Sequence, residues 1–82
     1  MLTDAQVKAL EMLQAAPQGS VSQEQWEASV HWATRTALDR RRYVTHDRVL
    51  GWKPRIWGVA TTRAGRKALE EWREAHGTDH IS

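Results

Sequence analysis

Helix-starting signals at Thr3, Ser22 and Thr62, separated by chain breakers, constrain this sequence more than any other feature. Thr3-Asp4-Ala5-Gln6 and Ser22-Gln23-Glu24-Gln25 each have the form in which a hydroxyl accepts from the amide three residues on and a Gln side chain reaches back. A helix should start at each. Pro17 and Gly19 stop the first, in which Val7, Ala9, Leu10 and Leu13 fall on one face. Ala5, Met12 and Ala16 widen that apolar arc beyond a single core contact. The second helix is short, carries Trp26 and ends near Ser29.

After a tight turn, a third helix is predicted from Val30 to about Arg41. Val30, Ala33, Ala37 and Leu38 lie on one side, and Trp32, Arg35, Thr36 and Asp39 project from the other. Tyr43-Val44-Thr45 then begins a β-branched and aromatic run, Gly51 and Pro54 mark a turn, and residues 55–61 return as a strand. Thr62 caps a last helix with Ala64, Ala68, Leu69 and Trp72 on one face, ending near His76-Gly77. Trp57 and Trp72 are assigned to the core from their periodicity with Val59 and Leu69. The reading is one domain over residues 1–77 and a frayed tail over 78–82.

At 82 residues there is room for one small core and none for a deep substrate cavity besides. Apolar stretches reach only about four residues, such as Trp57 to Ala60, against the ~20 of a membrane span. The N-terminus lacks a signal-peptide layout, and there is no cysteine, so a cytoplasmic location is expected. His31, His46, His76 and His80 show no ligand spacing, and no serine, histidine and carboxylate form a nucleophilic pattern. Neither a metal, a cofactor nor catalysis is expected.

Charge is distributed unevenly. Net charge is only +2, yet ten of the twelve Lys and Arg residues lie between His31 and Lys67, opposed there by Asp39 and Asp47 alone. That segment carries +8 and the rest of the chain −6. A basic segment concentrated in a nearly neutral domain is the footprint of a polyanion-binding face, most often for nucleic acid.

Two segments carry a family resemblance. Ala37-Leu38-Asp39-Arg40-Arg41-Arg42-Tyr43-Val44 resembles the "A-L-x-R-R-G-L-V" that ends a recognition helix and begins a wing. Residues Trp57 to Leu69, with Thr62-Arg63-Ala64-Gly65-Arg66 at their centre, are similar to the "Y-x-L-T-x-x-G-R-x-x-L" of winged helix-turn-helix regulators of the multiple-antibiotic-resistance (MarR) type. The similarity spans roughly Leu2 to Trp72. It implies a mainly α fold with a small β-hairpin: three helices, a two-stranded wing and a C-terminal helix. Arg42 stands where the family has glycine, at a cost on the order of 1 kcal/mol if the residue is left-handed. Thr61 stands where it has leucine, which lowers the apolar volume the wing supplies.

The resemblance implies binding of double-stranded DNA and, with it, transcriptional regulation. Helix three would enter the major groove with Trp32, Arg35, Thr36 and Asp39 facing the bases. Arg35 suits guanine, Asp39 could orient it or accept from cytosine N4, and Trp32 could lie on thymine methyls or anchor a protein partner. Arg40 and Arg42 suit phosphates, and Arg48, Lys53 and Arg55 on the wing suit the backbone or a minor groove. A recombination accessory factor and a protein-interaction module using exposed tryptophans remain alternatives. A homodimer through helices one and four, using Met12, Ala16 and Trp72, would double the DNA contact; otherwise these residues close a monomeric core.

Overall fold

In the computed structural model, which describes residues 2–17, 19–47 and 57–76, the Gln6 amide donates to Thr3 Oγ1 at 3.2 Å. The Thr3 amide donates to Gln6 Oε1 at 3.1 Å, closing a capping box at the start of α1 (Asp4–Ala15). Ser22 accepts from the Gln25 amide and caps α2 (Gln23–Ser29), and Thr62 accepts from the Gly65 amide and caps α4 (Arg63–His76). The helix starts were local chemistry, and local chemistry produces them.

Helix α3 (Trp32–Arg40) begins two residues later than its periodicity suggests. Val30 is extended and closes α2, its amide donating to the Trp26 carbonyl, and His31 caps α3 by accepting the Ala33 amide on Nδ1 at 3.2 Å. With Val30 removed from the helix, the inner face of α3 rests on buried Leu38 and half-buried Ala37. Ala33, assigned by spacing to the core side, is exposed.

Three strands, β1 (Ser20–Ser22), β2 (Val44–Asp47) and β3 (Gly58–Thr61), form an antiparallel sheet in the order β1-β3-β2. The expected pairing of β2 with β3 is present, and β1 adds a third strand that the sequence did not announce. β1 is three residues long, too short to show a period of two, and exists because Val21 pairs with Val59 in the middle of β3. On the other edge Thr45 pairs with Ala60 and His46 with Val59. The hairpin tip, with Arg48, Lys53 and Arg55, and the tail at 78–82 lie outside the described residues.

Around Val59 the core gathers Val7, Leu10, Leu13, Trp26, Leu38 and Leu69, with Trp72 and Tyr43 packed partly against it. Trp57 is not in it. At 45% exposed, it stands one residue before β3, and although its carbonyl accepts from the Gln23 amide at 2.8 Å, its side chain lies largely outside the core. The result is a small, mainly helical domain with four helices and one three-stranded antiparallel sheet among the described residues.

Two close contacts fasten the end of α3 to the start of α4. Arg42 has φ 59°, its amide donates to Asp39 and the Tyr43 amide donates to Leu38, the two bonds of a Schellman motif. The Arg42 carbonyl then accepts from the Thr62 hydroxyl at 2.6 Å, while the Thr62 amide donates to the Tyr43 carbonyl at 2.9 Å. Gly65 lies over this joint: a Cβ there would overlap the Tyr43 carbonyl and come within 2.7 Å of Thr61 Cγ2. The Thr-x-x-Gly spacing is therefore a packing requirement of this junction.

Candidate nucleic-acid interface

The outer face of α3 presents Trp32, Ala33, Thr36, Asp39 and Arg40, all exposed, with Trp32 at 64% the most exposed large apolar side chain among the described residues. Its ring sits 5.7 Å from that of His31, which is itself held by its capping bond. Arg35 belongs to the shoulder of the helix and is turned inward. Its Nε donates to the Val30 carbonyl at 3.0 Å, its Nη1 lies 4.0 Å from Glu27, and its side chain is 26% exposed.

Arg35 and Asp39 do not pair with each other. They are joined through a circuit of side chains that passes from α3 to α2, to β2 and back. Glu27, near Arg35, accepts from Gln23 Nε2 at 2.9 Å, and Gln23 Oε1 lies 2.6 Å from His46 Nδ1. His46 Nε2 lies 2.9 Å from Asp39 Oδ1, one turn along α3 from Arg35. The Gln23 amide nitrogen is given to Glu27, so both ring nitrogens of His46 face oxygen atoms, Gln23 Oε1 on one side and Asp39 Oδ1 on the other. This belt ties α3 to α2 and β2 on the side next to its outward face, while buried Leu38 turns the opposite side to the core. His46 and Gln23 were not singled out from sequence, and no local spacing marks them, because their partners come from three elements.

The junction of α3 and α4 gathers a second group of charges. Arg40, Arg41 and Arg42 end α3, and the Thr62–Arg42 bond sets Arg63 beside them, with Arg66 and Lys67 one turn on. All six are exposed, and none forms an ion pair with a described carboxylate. Arg63 and Arg66 also occupy the positive end of the α4 dipole, in a first turn that holds no acid. Cations there oppose the dipole, by about 0.3–1 kcal/mol each at low salt. That inversion is the signal by which sequence could have marked them.

Acids collect elsewhere on α4. Glu70, Glu71 and Glu74 follow the basic turn, and Arg73 reaches Glu11 of α1 at 3.2 Å. Met12, Ala16 and Trp72 are partly buried and packed against the core. Beside Trp72 a shallow groove of about 250 Å³ runs between α4 and Leu2 and Tyr43. Trp72 stacks on His76 at 4.8 Å. The described residues contain no group of three or more metal-ligating side chains, and no described helix is long and apolar enough to cross a membrane.

No family model, curated protein or solved structure matches this chain.

Proposed function

We propose that this domain binds duplex DNA, with α3 in the major groove and the basic hairpin along the backbone, as a transcriptional regulator of the winged helix-turn-helix type. The observation that carries the reading is the cluster of six exposed cations at the α3–α4 junction, none joined to a described carboxylate. Two of them, Arg63 and Arg66, sit where they disfavour their own helix. Charges arranged against local stability, and beside an outward helix face tied to its neighbours, fit a surface whose energetic return comes from a polyanion. The element order, a short helix and a turn before α3 and a hairpin before α4, is compatible with the fold that the Ala37–Val44 and Trp57–Leu69 segments resemble. A two-fold dimer through Met12, Ala16 and Trp72 belongs to the same proposal, because one module of this size makes few base contacts.

Titration with duplex DNA over a range of salt tests it. Engagement of four to six phosphates gives a slope of log affinity on log salt of roughly −4 to −5. Replacing Arg66 and Lys67 with glutamate should abolish binding while leaving the fold intact, as both side chains are exposed. Absence of duplex binding at about 50 mM salt overturns the proposal and leaves Trp32 as an anchor for a protein partner.

A further inference from the structure

We infer that α3 reads thymine methyl groups, with Trp32, Ala33 and Thr36 as the specificity-determining side chains; this rests on the duplex binding proposed above. Only thymine offers an apolar group to the major groove, its C5-methyl, and the side chains that recognise it are apolar or methyl-bearing. The exposed first half of α3, the part that enters a groove in helix-turn-helix domains, consists of such groups: an indole, an alanine methyl and a threonine methyl.

The polar readers expected on the same helix are engaged. To bond guanine O6 and N7 together, Arg35 would have to leave the Val30 carbonyl at 3.0 Å and move away from Glu27. Asp39, the candidate acceptor for cytosine N4, already has one carboxylate oxygen 2.9 Å from His46 Nε2. These two residues are positioning residues, which tie α3 to α2 and β2 through the belt. Arg40, exposed at the far end of the helix, is where the chain leaves the groove and meets phosphates. What remains for base contact is the Trp32-Ala33-Thr36 surface, and Trp32 comes to it already oriented beside the capping ring of His31.

Trp32 and Thr36 are one helical turn apart, a rise of roughly 6 Å, or about two base steps. The preferred site should therefore contain two thymines within about two steps of each other, on either strand.

The test uses the full chain and a duplex selected by it from a random pool. Each thymine is replaced in turn by deoxyuridine, which removes the methyl group and leaves every hydrogen-bonding position intact. At one or two positions affinity should fall about fourfold, the value of one buried methyl group of ~0.8 kcal/mol. Trp32→Ala should lower affinity for the selected duplex and erase the thymine-to-uracil difference at one of those positions. Equal affinity for the thymine and uracil duplexes overturns this inference alone, as does a Trp32→Ala variant that keeps the full methyl effect. Failure to enrich or bind any duplex overturns the function proposed above and the inference with it.

Discussion

Replacing Arg42 with glycine should make the protein more stable and a weaker binder of duplex DNA. Arg42 is the one described non-glycine residue with positive φ, at 59°, and the Schellman bonds from Arg42 and Tyr43 need that conformation. For an L-residue it costs roughly 1–2 kcal/mol, which glycine removes. Against this stand the greater freedom of glycine in the unfolded chain, about 0.4–1 kcal/mol, and the loss of a cation near the negative end of α3. That last loss is offset by relief of repulsion from five neighbouring cations, Arg40, Arg41, Arg63, Arg66 and Lys67. The net gain is about 0.5–1 kcal/mol, or about 2–8 °C in melting temperature for a domain of this size. Thermal denaturation followed by circular dichroism measures it. Arg42→Ala is the control: it removes the same charge and keeps the left-handed backbone, so it should not gain. In a duplex titration Arg42→Gly should lose about 0.9 from the salt slope, one phosphate contact. A lower melting temperature for Arg42→Gly, or an equal rise for Arg42→Ala, would refute the attribution of strain to this backbone position.

Gly65→Ala drives a methyl group into the Tyr43 carbonyl and Thr61, and should cost about 1–3 kcal/mol or more, read from denaturant unfolding. Thr61→Val, which removes a buried hydroxyl with no partner among the described residues, should raise stability by about 1 kcal/mol in the same assay. His46→Ala cuts the belt at its centre; a loss of about 1–2 kcal/mol is expected, with faster amide exchange in α3, and unchanged exchange there would show that the belt does not hold the helix. Met12→Glu should convert a dimer to a folded monomer in sedimentation, whereas wild-type protein that is monomeric alone and on a palindromic duplex removes the proposed interface.

What could be read from the sequence is what residues a few positions apart decide between themselves. Thr3 with Gln6, Ser22 with Gln25 and Thr62 with Gly65 set the helix starts by bonds that span three residues, and these were legible. The left-handed position of Arg42 was marked only by the resemblance, whose motif has glycine there, and the φ of 59° settles it. β1 was not legible, since three residues carry no period and its strand character comes from Val59, far along the chain. Trp57 was misplaced because its alternation with Val59 was taken to bury it, whereas its side chain is largely exposed even though its carbonyl pairs with the Gln23 amide. At the proposed site, the sequence placed Trp32, Arg35, Thr36 and Asp39 on the outward face of α3, and all but Arg35 are exposed there. It could not show that Arg35 and Asp39 are held back, because Glu27, Gln23 and His46 reach them from α2 and β2.

The order of the sheet also governs how the chain can fold. β3, at its centre, is the last strand in sequence, and Ser20 waits for Ala60 before it has a partner. Until residues 58–61 have left the ribosome, β1 and β2 have no hydrogen-bonding edge to pair with, and Leu10, Leu13 and Trp26 lack Val59 at the middle of their core. The long loop must close before either pairing returns any energy, which places the rate-limiting step late. Synthesis stalled before Gly58 therefore leaves two short segments without an edge to pair with and Trp26 without Val59 or Leu69 over it, the kind of exposed apolar surface that makes an incomplete domain prone to aggregate.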